Sequence, residues 1–113
     1  MTEDEKTKVR NEFQSAVNMA PKELEDWLET EESRSVGWTR EGEREAVGHQ
    51  SGQRIVELKR RRVAELGDED YAHMRKVIGY VHRHVAQRPD GDVTATRWRY
   101  SLMNWGHDPL KEA

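Results

Sequence analysis

The chain has no cysteine, only three prolines, a single phenylalanine and no long apolar run. Without thiols it can form neither a disulfide nor a thiolate metal site, a composition that fits a reducing compartment. No stretch approaches the ~20 apolar residues that a membrane-spanning helix needs. The opening residues MTEDEKTKVR lack the apolar core of a secretory signal. Apolar residues are themselves sparse: at 34% they are outnumbered by charged residues at 36%, which is lean for a globular core. That leanness leaves room for a homodimer or protein partner, or for a disordered acidic N-terminus. At 113 residues the chain is expected to be one domain over 1–113, burying roughly two-thirds of its unfolded surface. A soluble, cytoplasmic protein with no membrane partner is expected.

Helical periodicity is abundant, and no segment alternates at period 2 over four or more residues. Tyr71, Met74, Ile78, Val81 and Val85 fall at i, i+3, i+7, i+10 and i+14, with Val77 widening the seam. The spacing predicts a helix over 68–87, with Asp68 as N-cap and Glu69 and Asp70 meeting the positive end of its dipole. Arg88-Pro89-Asp90-Gly91-Asp92 is turn chemistry. A last helix is expected from near Thr94, with Ala95, Trp98, Leu102 and Trp105 inward and Gly106 and Pro109 as its stop. Upstream, Val9, Phe13, Ala16, Val17 and Ala20 predict a helix over 4–18, and Pro21 suits the first position of a short helix carrying Leu24, Trp27 and Leu28. Residues 33–50 hold Gly37, Gly42 and Gly48 without a period and predict a long mobile loop. Ser51 is expected to cap a helix to Leu66 with Ile55, Leu58, Val63 and Leu66 inward. The fold class is therefore all-α, a compact domain of about five helices with helical hairpins at roughly 51–87 and 68–105.

Charge is uneven. Residues 1–48 hold 7 Lys/Arg against 13 Asp/Glu, and residues 49–113 hold 12 against 9. The sharpest basic cluster is Lys59-Arg60-Arg61-Arg62, backed by Arg54, and the next helix adds Arg75, Lys76 and Arg83. On a helical projection Arg54, Arg60 and Arg61 point outward, whereas Lys59 and Arg62 lie nearer the apolar face and must snorkel. A basic patch on a helical hairpin is the electrostatic footprint of a nucleic-acid binder. The same residues also form i, i+4 pairs, Glu57 with Arg61 and Arg61 with Glu65, as on an ordinary solvated face.

Other chemistry has weaker support. His82 and His84 are i, i+2 and diverge, while His73 and His84 are eleven residues, or ~16 Å, apart along a helix, so no metal site is expected. His49 neighbours a hydroxyl, Ser51, but no strand-turn-helix context accompanies it and no catalytic residue is assigned. His107 has no partner legible in the sequence. The segment Gly48-His49-Gln50-Ser51-Gly52 matches neither a P-loop nor a dinucleotide fingerprint. Trp98, Tyr100 and Trp105 at helical spacing are core residues before they are base-stacking platforms.

The segments EFQSAVNMAPKELEDWLETEESRSVGW, GHQSGQRIVELKRRR and DYAHMRKVIGYVHRHVAQRPDGDVTATRWRYSLMNWGHDP together resemble a domain-of-unknown-function family, serial number three-one-four-zero. The resemblance spans nearly the whole chain. Some members are labelled DNA-binding proteins, which implies nucleic-acid binding here, and the resemblance carries over no catalytic or contact residue. The combined expectation is a small non-enzymatic protein that binds duplex DNA without a cofactor. Its phosphate contacts would be Arg54, Lys59, Arg60, Arg61, Arg62, Arg75, Lys76 and Arg83. A protein-interaction module or homodimer without nucleic acid is the alternative.

Overall fold

The computed structural model describes residues 1–37 and 47–111. Among the described residues six α-helices follow one another: α1 (Glu3–Ala16), α2 (Pro21–Leu28), α3 (Glu31–Arg34), α4 (Val47–Arg60), α5 (Asp68–Val85) and α6 (Arg97–Asn104). A single 3-10 turn, Val63–Glu65, lies between α4 and α5. Among the described residues there is no strand, and no helix is long and apolar enough to cross a membrane.

Local chemistry sets these boundaries. Thr2 Oγ1 accepts the Glu5 amide at 3.2 Å, and Glu3, Asp4 and Glu5 fill the first turn of α1. Pro21 opens α2, where its missing N–H has no intrahelical partner to lose. Thr30 caps α3 and Thr96 caps α6 in the same manner as Thr2, each accepting the amide three residues on.

Packing divides the helices into two pairs joined by a crosspiece. α1 lies along α5 and α2 along α4, while α6 touches α2, α3, α4 and α5. The first pair buries Val9, Phe13 and Ala16 against the α5 seam of Tyr71, Met74, Val77, Ile78 and Val81. The second buries Leu24 and Leu28 with Ile55, Val56 and Leu58. Leu102, Met103, Trp98 and Trp105 close the core from α6 and its end. Consecutive helices do occupy 51–87 and 68–105, and α5 and α6 pack on each other, but the principal neighbour of α4 is α2.

Several expected details are corrected. α4 begins at Val47, so Ser51 is an internal, buried helical residue and not a cap. The helix needs glycine at 52 because a Cβ there would run into the Asn104 carbonyl and Leu28. α4 stops at Arg60, which leaves Val63 56% exposed and Leu66 only partly covered. Gly67, not Asp68, is the N-cap of α5: Asp70 Oδ2 reaches back to the Gly67 amide at 2.9 Å. Val85 is exposed at the last turn of α5. Thr94 is held in a turn by Asp92, Ala95 is exposed, and α6 starts at Arg97. Of the stretch expected as a loop, residues 33–34 and 47–50 are helical, with Ser33 fully buried. Residues 38–46 of that loop lie outside the described residues.

Candidate nucleic-acid interface

The eight cations fall into two groups according to what faces them. On α4 and in the turn that follows it most are already engaged. Lys59 turns inward, donating to the Val17 carbonyl at 2.9 Å and the Met19 carbonyl at 3.3 Å. Burial, and then Lys111, lowers its pKa from the usual lysine value. It serves as a cationic cap on the chain leaving α1. Arg60 Nη1 lies 2.8 Å from Glu25 on α2. Arg61 Nη1 donates to both Asp70 oxygens at 3.0 Å. Arg54 Nη2 donates to the Glu69 carbonyl at 3.3 Å and lies 3.6 Å from Asp70. Arg62 is exposed just past the end of α4 and makes no ion pair among the described residues.

Asp70 holds this corner together. The Gly67 amide, then Arg61 and Arg54, hold its carboxyl below the ordinary carboxylate value against the opposing effect of burial. Of the five cations at 54–62, two thus share one carboxylate and a third faces Glu25.

α5 differs. From Tyr71 to Pro89 the chain holds Arg75, Lys76, Arg83 and Arg88 and no Asp or Glu. All four are exposed. Lys76 and Arg83 make no ion pair among the described residues, and Arg75 reaches only Glu5 of α1, at 4.0 Å. Lys76 and Arg83 are seven residues apart, two helical turns or roughly 10 Å along one stripe. The guanidinium of Arg83 lies over Gly79 between them. Arg88 extends the basic surface past the helix end, with its guanidinium 5.6 Å from the Trp98 ring centroid. Arg88 is not among the cations singled out from the sequence, although the carboxylate-free stretch that holds it is plain there.

Behind this face runs a ladder of near-parallel rings. Trp105 stacks on Tyr80 at 4.2 Å, Tyr80 on His84 at 5.1 Å, and His84 on Trp98 at 6.2 Å, with His73 on Trp105 at 6.4 Å. The tryptophans are therefore core residues, as their helical spacing predicts. The Nε1–H of Trp98 donates to the His84 carbonyl at 2.7 Å.

The histidines take structural places. His49 Nε2 meets the Leu28 carbonyl at 2.7 Å, His107 Nδ1 meets the Ala16 carbonyl at 2.8 Å, and His82 is exposed. His84 Nε2 is buried without a hydrogen-bond partner. Ser51 pairs with His73, at 3.0 Å between Oγ and Nε2, and not with its sequence neighbour His49. Among the described residues no three His, Asp or Glu side chains converge as a metal site would require.

A family model described as a protein of unknown function, DUF3140, matches residues 12–103. No curated protein and no solved structure matches the chain.

Proposed function

The chain belongs to the DUF3140 family, and we propose that it is a non-enzymatic, cytoplasmic, nucleoid-associated protein that binds duplex DNA through backbone phosphates. The contacts lie on the exposed face of α5, at Arg75, Lys76 and Arg83, with Arg88 at its end. The observation that carries this reading is the stretch from Tyr71 to Pro89, which displays four exposed cations and no carboxylate. A duplex presents one negative charge per ~1.7 Å of axis, so a row of exposed cations gains by releasing condensed counterions. The α4 cluster supports the site from behind. Its Arg61 pairs with Asp70, Arg60 with Glu25 and Lys59 with backbone carbonyls, and Arg54 only shares Asp70 with Arg61, so within the run 59–62 Arg62 alone is left to extend the surface.

Contacts of this kind position a duplex without reading its bases. Random and specific sequences are expected to bind alike. The test is titration of random duplex DNA at several salt concentrations. Binding is expected at low salt and fades steeply as salt rises, and absence of binding even at low ionic strength would contradict the proposal.

A further inference from the structure

A cleft of about 260 Å3 opens between the first half of α4 and the middle of α5. Val47 and Trp105 form its apolar wall, and Ser51, Arg54, His73 and Lys76 bring polar groups to it. Among the described residues two cations and no carboxylate line it. The larger clefts carry mixed charge: the α2/α4 groove sets Glu25, Glu29, Glu57 and Glu65 beside Arg60 and Arg61, and the one next to Asp70 sets five carboxylates beside Arg54 and Arg61.

We propose that this cleft binds a phosphate group, either of a free phosphate ester or of a nucleic-acid strand. Arg54 presents planar N–H donors, and Asp70 at 3.6 Å fixes the guanidinium in place without entering the cleft lining. Lys76 adds a second, movable charge from α5. The contact between Ser51 Oγ and His73 Nε2 supplies a neutral donor: in the tautomer with hydrogen on Nε2, the imidazole donates to Oγ and the serine proton is left for an anion. The volume exceeds what a phosphate group fills, leaving room for its ester substituent beside the indole of Trp105.

His73 reports the field inside this cleft. Burial first, then Arg54 and Lys76, push it down to about 4, with Asp70 opposing. An anion seated between those two cations reverses that bias. The inference stands apart from the α5 surface reading and shares only Lys76 with it.

The experiment follows the His73 imidazole by NMR in the intact chain during pH titrations. Inorganic phosphate, a nucleoside 5′-monophosphate and a short single strand without terminal phosphates are each compared with chloride at equal ionic strength. A phosphate raises the His73 pKa by about one unit or more, saturating with a Kd on the order of 1 mM. Lys76→Gln, at an exposed side chain with no ion pair among the described residues, weakens that Kd several-fold, as does Ser51→Ala. A response to phosphate or to the monophosphate identifies a free ester, and a response to the strand alone identifies a backbone phosphate; either supports the site. An equal shift in chloride, or none with any ligand, overturns it. Arg75→Gln with Arg83→Gln leaves the phosphate response intact while weakening duplex binding, so the two proposals fail separately.

Discussion

Arg61 donates through one nitrogen to both carboxylate oxygens of Asp70 at 3.0 Å, while Asp70 also accepts the Gly67 amide that begins α5. An arginine from the most basic run of the sequence is thereby committed to closing the turn between two helices. Arg61→Gln removes a part-exposed pair and is expected to cost under about 1 kcal/mol. Asp70→Asn also weakens the helix cap and is expected to cost about 1–2 kcal/mol. Denaturant unfolding of the two variants checks this ordering, and equal losses would mean that the cap carries nothing.

Acid sensitivity follows from Asp70 and Asp108. The carboxyl of Asp108 is disfavoured by burial, yet the Arg99 guanidinium at 3.1 Å and the Leu110 amide hold its pKa below the ordinary value. A depressed folded pKa contributes stability that is present above the unfolded value of 3.8 and lost as pH falls through the folded one. Melting temperature should drop steeply below about pH 4, and Asp108→Asn should flatten that drop. A variant with the wild-type acid profile would place the loss elsewhere.

Histidines add a second window. His73 is held down to about 4 chiefly by burial and stays neutral in the fold while the unfolded chain protonates near 6.5, and His84 is lowered for the same reason. The unfolded state then binds more protons, so stability declines as pH falls from about 6.5 towards 4. Each group contributes at most about 1.4 kcal/mol per pH unit. His73→Gln should flatten the slope in that window without altering the loss below pH 4. A slope unchanged by His73→Gln would show that His73 titrates normally.

Gly52 and Trp105 test the crosspiece. A methyl at position 52 meets the Asn104 carbonyl and Leu28. Gly52→Ala should therefore cost about 1–3 kcal/mol although alanine favours helices. Trp105, 5% exposed and stacked on Tyr80, should cost about 3–5 kcal/mol as alanine. Asn104 accepts from Trp27 Nε1 at 2.8 Å and Ser33 Oγ at 2.5 Å and donates to the Ser33 carbonyl at 2.9 Å. Its alanine variant should lose about 1–3 kcal/mol by stranding those groups. Thermal melts of the three variants check the set, and a neutral Gly52→Ala would mean that α4 and α6 are further apart.

What the sequence made legible was whatever repeats along one helix. The seam from Tyr71 to Val81, the Pro21 start, the stop at Gly106 and the inward tryptophans all came from spacing and turn chemistry. Demands set across the fold were not visible. The glycines at 48 and 52 look like loop residues because nothing local says that Trp105 and Asn104 must approach there. Ser33 looks like a loop serine because its partner lies 71 residues away. The same limit governs the site. Eight cations were visible, but that Lys59 turns to the α1 exit and Arg61 to Asp70, leaving α5 as the bare face, depends on tertiary neighbours. The helical period places Val63 and Leu66 inward, but the helix ends at Arg60, where the chain turns towards Gly67.

The salt dependence of random-duplex binding, compared between two variants, tests the α5 surface most directly. Arg75→Gln, Lys76→Gln and Arg83→Gln together should flatten the slope of log K against log salt by up to about three units. Arg60→Gln with Arg61→Gln should leave it close to wild type, because those charges already face Glu25 and Asp70. The reverse pattern, with the α4 pair flattening the slope and the α5 triple leaving it intact, would contradict the assignment of the binding face to α5.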